Sequence, residues 1–253
     1  MEALWLNALF WGLVAGSALI IGSLAGYYLK VPVRLVAAVM GFGAGVLISV
    51  LAFSLMDEAY RHGGFAYTAV GFIIGAAIFT AANIYLSRRG AKHRKRSRPG
   101  KQSSESENPG SGMAIAIGSL LDDIPESIAI GLSLLTGGAI SIVVVVGIFL
   151  SNIPEALSSS AGMKSSHRSA GYVFGVWGVT ALSCGVSSLV GYVVFGSLPE
   201  EAVAVTLAIA AGAILAMLAD TMLPEAFEEA HDLSGIIVVL GFLIAFVLDK
   251  WAG

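Results

Sequence analysis

Apolar residues dominate eight runs along the chain, near 4–28, 35–57, 65–87, 112–136, 139–163, 171–196, 200–224 and 234–251. Each is about the ~20 residues that an α-helix needs to cross ~30 Å of hydrocarbon. Polar residues gather in the short intervals between runs, and little chain remains for a soluble domain. The pattern predicts an all-α polytopic membrane protein with eight transmembrane helices. Composition agrees: 57% of the 253 residues are hydrophobic and 12% charged, about half the charge of a soluble domain.

The runs also repeat one another, the first thing to check in a chain of this kind. Residues 45–60 (GVLISVLAFSLMDEAY) align without gaps to 212–227 (GAILAMLADTMLPEAF). Trp11-Gly12 and Gly26-Tyr27 match Trp177-Gly178 and Gly191-Tyr192, and Gly71-Phe72 matches Gly241-Phe242. Each copy returns five crossings later, so the copies are expected to be inverted, a symmetry common among secondary transporters. The fourth and fifth spans match each other as GSLLDDIPES (118–127) and GIFLSNIPEA (147–156). The predicted arrangement is 3+2+3. Spans 1–3 (1–87) form one repeat, 112–163 the central pair, and 164–253 the second repeat.

Charge sets the orientation. Eight of the fourteen Lys and Arg lie in the connection 88–101, and Lys30, Arg34, Lys164 and Arg168 fall in loops on the same side. The positive-inside rule then places both termini outside the cytoplasmic membrane. The connection 88–111 is a polar, basic stretch, expected to be disordered and to touch anionic lipid or set topology. The lone Cys184 allows no intramolecular disulfide. The start (MEALWLN) lacks a basic leader and reads as a retained span. The bilayer is the expected partner, and nothing points to nucleic acid.

The chemistry concentrates in the fourth and fifth spans. Asp122, Asp123 and Glu126 share one helix face by their i,i+3 and i,i+4 spacing. Ser151, Asn152 and Glu155 occupy the matching positions. Pro125 and Pro154 each deprive a carbonyl, that of Leu121 or Leu150, of its helical donor. One ionised carboxylate at mid-membrane costs about 2.5–3.5 kcal/mol, and four together repel. No Lys or Arg is expected at that depth, which leaves protons or bound cations as counter-charges. A hard, oxygen-rich set of this kind suits divalent cations. Further acids flank the route: Asp57 and Glu58 with His62 on the outer side, and Asp220, Glu225 and His231 toward the inner side.

These residues resemble the ZIP (Zrt-, Irt-like) divalent-metal transporters. That family has eight spans, a long cytoplasmic loop after the third, a His-Asn-x-Pro-Glu-Gly motif in the fourth and an x-x-x-Pro-Glu motif in the fifth. Here the motifs read Asp122-Asp123-Ile124-Pro125-Glu126-Ser127 and Ser151-Asn152-Ile153-Pro154-Glu155-Ala156. The resemblance implies two adjoining metal sites. Asp122, Glu126, Ser151 and Glu155 would form one; Asp123, Glu126, Asn152 and Glu155 would form the other. It also implies a homodimer, and an elevator-type movement of spans 1, 4, 5 and 6 against 2, 3, 7 and 8. The fourth-span histidine is replaced by Asp122, and a sixth-span Glu is missing, with Ser183 or Cys184 at the nearest position.

The expected function is therefore uptake of divalent cations, Zn²⁺ by family default and Mn²⁺ or Fe²⁺ as rivals. The metal is cargo; no resident cofactor and no enzymatic activity are expected. Two other classes remain open, an intramembrane acid hydrolase with paired carboxylates and a non-transporting membrane scaffold.

Overall fold

The computed structural model describes residues 4–137 and 141–252, with the backbone alone at 136, 137, 229, 231 and 252. Among these residues the secondary structure is helical throughout. The helices are α1 (Leu4–Tyr28), α2 (Val33–Val50), α3 (Met56–Leu86), α4 (Ser111–Gly137), α5 (Ile142–Ser165), α6 (Ala170–Phe195), α7 (Glu200–Met217), α8 (Leu223–Ala230) and α9 (Ser234–Ala252). The first two residues of the expected fifth span, 139 and 140, lie outside the described residues.

Among the described residues six helical stretches are long and apolar enough to cross a membrane, which makes the chain a multi-pass membrane protein. Eight separate runs were expected, and the difference has two causes. The second and third runs continue as one 59-residue stretch, Val33–Ala91, bent at Gly64 (φ 66°, ψ −174°). That backbone region is nearly restricted to glycine. The fourth run lies within α4, whose three carboxylates set it apart from its apolar neighbours.

The two outer thirds of the chain are built alike. Pro32 precedes α2 and Pro199 precedes α7 in extended backbone, as suits residues with a fixed φ and no N–H to leave unbonded. Each helix is 18 residues long and each runs into a five-residue π-helical turn, Leu51–Leu55 or Leu218–Met222. These positions coincide in the 45–60/212–227 alignment. Such turns free backbone groups locally and concentrate at functional sites. Each also carries a polar tie to a partner helix: Ser54 Oγ donates to Asp249 (3.1 Å), and Asp220 accepts from Asn83 Nδ2 (3.1 Å).

Packing gathers the helices into three groups, which α2 links by lying also against α5 and α8. α1 lies against α5 and α6, and α4 against α6; α3 lies against α7, and α2 against α9. Leu19, Ile115, Met163 and Trp177 fill the core of the first group. Met40, Leu47, Ile148, Leu207 and Ile214 belong to a larger cluster that joins the groups through α2, α5 and α7. Outward faces are apolar, as at Phe65, Ile73, Met113 and Leu182, which suits a lipid surround.

Small residues let these backbones meet, the usual device where lipid removes the hydrophobic drive between helices. A Cβ on Gly45 would stand 2.0 Å from the Val238 carbonyl oxygen, and one on the equivalent Gly212 2.0 Å from that of Phe72. Gly45→Ala and Gly212→Ala are each expected to destabilise the protein by about 1–3 kcal/mol through overpacking. Gly175→Ala, whose added methyl meets nothing within 4 Å, should stay within about 0.5 kcal/mol of the parent. Thermal unfolding of the three variants in detergent checks this; equal losses at all three would contradict it.

Candidate metal site between two proline-bearing helices

α4 and α5 each run through their internal proline, Pro125 or Pro154, without a break. They carry Asp122, Asp123, Glu126, Ser151, Asn152 and Glu155 into the interior, where all six are no more than 2% exposed. Ser151 Oγ turns back to the Ile148 carbonyl of its own helix (2.9 Å). Asn152 Nδ2 donates to the Ala15 carbonyl of α1 (3.2 Å). Four carboxyl groups thus sit in the protein interior, as the sequence pattern predicts.

The absence of any counter-charge at that depth is not borne out, and neither is the expected disorder of the connection. Its residues 92–102 fold down onto the end of the bundle, and two of its cations enter the cluster. Arg94 forks onto Asp122, with Nε to Oδ2 at 2.8 Å and Nη2 to Oδ1 at 2.7 Å. Lys95 Nζ lies 2.7 Å from Glu155 Oε2 and 3.4 Å from Asp122 Oδ2, with Met217 Sδ at 3.0 Å. Both side chains are at most 3% exposed. The physical reason is charge balance: a buried carboxylate recruits the nearest cation that the chain can deliver. Burial is the largest single effect and works against the charge on Arg94 and Lys95, but Asp122 and Glu155 together outweigh it, and the pKa values of both rise.

The next loop residues continue the pattern. Arg94 Nη1 donates to Asn83 Oδ1 (2.8 Å), and Asn83 in turn donates to Asp220. Arg96 pairs with Glu225 (3.0 Å) and with Glu228, and the Ser97 N–H and hydroxyl both donate to Glu225 (3.1 Å each). Glu225 is buried, whereas Asp220 is exposed at the loop end of the bundle. Two of the expected route residues therefore lie along the loop. The side chain of the third, His231, is outside the described residues. At the opposite end, Asp57 pairs with Arg61 (2.8 Å). Glu58 pairs with His62 (3.1 Å), which also faces Glu200 (3.6 Å). Asp57 and Glu58 remain apart from the α4–α5 cluster.

Half of the cluster is left without donors. Both oxygens of Asp123 and of Glu126, Oδ1 of Asn152 and Oε1 of Glu155 are buried and accept no hydrogen bond. An ionised carboxylate in that state is costly and calls for a proton or a cation. Among the described residues no three His, Cys, Asp or Glu side chains converge closely enough to hold a metal by themselves. Two of the carboxylates are instead drawn toward Arg94 and Lys95. Cys184 is buried on α6 and packs against Gly12 and Gly16 of α1, a packing role.

Sequence reasoning missed Asn83, Arg94, Lys95 and Gln102. The signal was present: eight cations in one connection of a chain with four carboxylates in its fourth and fifth spans. No family model matches the chain, and no curated protein matches it.

The distal part of the loop is pinned by Glu105, which accepts from Arg168 (2.7 Å) and from the N–H groups of Gly110 and Gly112. The Arg168 contact and these two N–H groups lower its pKa from 4.5 to about 2. A lowered carboxyl pKa stabilises above the unfolded value and ceases to do so as pH falls. Protease sensitivity of 103–112 is thus expected to stay flat down to about pH 4.5 and to rise as pH falls toward 2; a rise near neutrality would contradict it. Asp122→Ala leaves Arg94 buried and unpaired, and should cost about 3–5 kcal/mol in thermal unfolding. Unchanged stability would argue against the buried pair.

Proposed function

We propose that the chain is a membrane carrier of divalent metal cations, of the ZIP type that its fourth- and fifth-span motifs resemble. The observation that carries this reading is the buried, donor-poor oxygen set on α4 and α5: Asp123, Glu126, Asn152 and Glu155. The same cluster already holds two cationic groups of the protein at Asp122 and Glu155. A carboxylate, amide and hydroxyl set is hard and flexible, which suits Mn²⁺ or Fe²⁺ as well as Zn²⁺.

The membrane arrangement in this proposal has eight crossings. Six stretches qualify outright; the bend at Gly64 divides the longest into two, and α4 supplies the eighth. The matched helices, prolines and π-helical turns of the outer thirds support a pair of inverted repeats around α4 and α5. Both termini face outside and the loop faces the cytoplasm, on the strength of its basic residues. The packing of α1, α4, α5 and α6 on one another supports alternating access by movement of that group against the remaining helices. The carrier is proposed to act as a homodimer.

A scaffold stapled by its own ion pairs is the second reading, favoured by the Arg94 and Lys95 contacts. Metal flux separates the two. In liposomes the parent is expected to show saturable Mn²⁺ or Zn²⁺ uptake, and Glu155→Gln to reduce it by about 100-fold, with the folded fraction monitored in parallel. Undiminished uptake by Glu155→Gln would sink the proposed site, and no saturable uptake by the parent would favour the scaffold.

A further inference from the structure

The loop is seated, not merely close. Arg94 crosses Gly118 of α4, where an added Cβ would come within 2.6 Å of its Cδ. The backbone carbonyl of Arg96 lies over Gly162 of α5, 2.1 Å from where a Cβ would stand, with the Gln102 amide 2.2 Å from the same point. That amide ties the seat together, donating to the carbonyls of Arg94 (2.9 Å), Arg96 (3.1 Å) and Ser159 (3.0 Å). Arg96 and Ser97 then close the segment onto Glu225. Two glycines on the site helices, a side-chain clasp and five ion pairs therefore place residues 94–96 where cargo would pass.

We propose that Arg94 and Lys95 are internal counter-cations that take the place of the transported metal at Asp122 and Glu155. Together they carry the two positive charges of one divalent ion. They also use the oxygens that the ion would need: both oxygens of Asp122 and Oε2 of Glu155. Loop and metal are mutually exclusive ligands of these carboxylates, so each weakens the other by the same factor. Metal binds fully only as 92–102 leaves its seat. When the loop returns, it displaces the ion, occupies Asn83 and Glu225 and so closes that route, and leaves the emptied carboxylates neutralised for the return step. This rests on the divalent-carrier reading above.

The test uses the full chain, purified in detergent, with Mn²⁺ and Zn²⁺ as probes. Three proteins are compared: the parent, Arg94→Gln/Lys95→Gln, and Gly162→Ala, which crowds the seat while keeping every charge. Equilibrium binding should be about tenfold tighter, or more, in both variants, because the fraction of protein open to metal rises. Trypsin should cut the parent within 92–101 faster when metal is bound, and should cut Gly162→Ala fast without it. Equal affinity in all three, or a metal-loaded parent cut no faster than the free one, would overturn the counter-cation role and leave the carrier reading standing. If none of the three binds either metal, the carrier reading falls and this inference with it.

Discussion

Four carboxyl groups buried in an apolar helical bundle are the constraint on which the rest of the structure turns. Ionised and alone, each would cost several kcal/mol, and their mutual repulsion would add to that. The fold answers with a pair of cations from outside the bundle. Arg94 and Lys95 are cations in a connection that otherwise reads as solvent-exposed, and they are buried because Asp122 and Glu155 are there. The glycines at 118 and 162, the amide of Gln102 and the carboxylate of Glu225 all serve to bring those two side chains to that depth.

The compensation is partial, and that is where a function enters. Arg94 satisfies Asp122 fully, with a fork geometry matched to a carboxylate. Lys95 satisfies one oxygen of Glu155. Asp123 and Glu126, on the same helix, receive nothing. A purely structural polar knot is stable only when every member is satisfied, so the unmatched oxygens are hard to explain by stability. They fit the proposed carrier, in which one set of cations is exchanged for another.

Much of the fold was legible from the chain. The apolar run lengths located the helices, and the segments of the ungapped match, 45–60 and 212–227, carry π-helical turns at equivalent places, because similar local sequence meets similar packing. The Asp122–Glu126 and Ser151–Glu155 faces could be read from helical spacing alone. The break between the second and third runs, read between 57 and 65, meets the bend at Gly64, although the chain is helical on both sides of it. The loop was misread for a physical reason. Its composition is that of a disordered tail, and a partner that orders such a segment lies far away in sequence, at Asp122, Glu155 and Glu225. A tally of buried charge against available counter-charge, rather than local polarity, was the signal that pointed to Arg94 and Lys95.

On the proposed reading the α4–α5 cluster holds a divalent cation. Anomalous X-ray diffraction from Mn²⁺- or Zn²⁺-loaded protein tests it most directly. An anomalous peak is expected among Asp122, Asp123, Glu126, Asn152 and Glu155, with Arg94 and Lys95 withdrawn from it. A metal-loaded crystal with no peak between α4 and α5, and with Arg94 still forked onto Asp122, would contradict it.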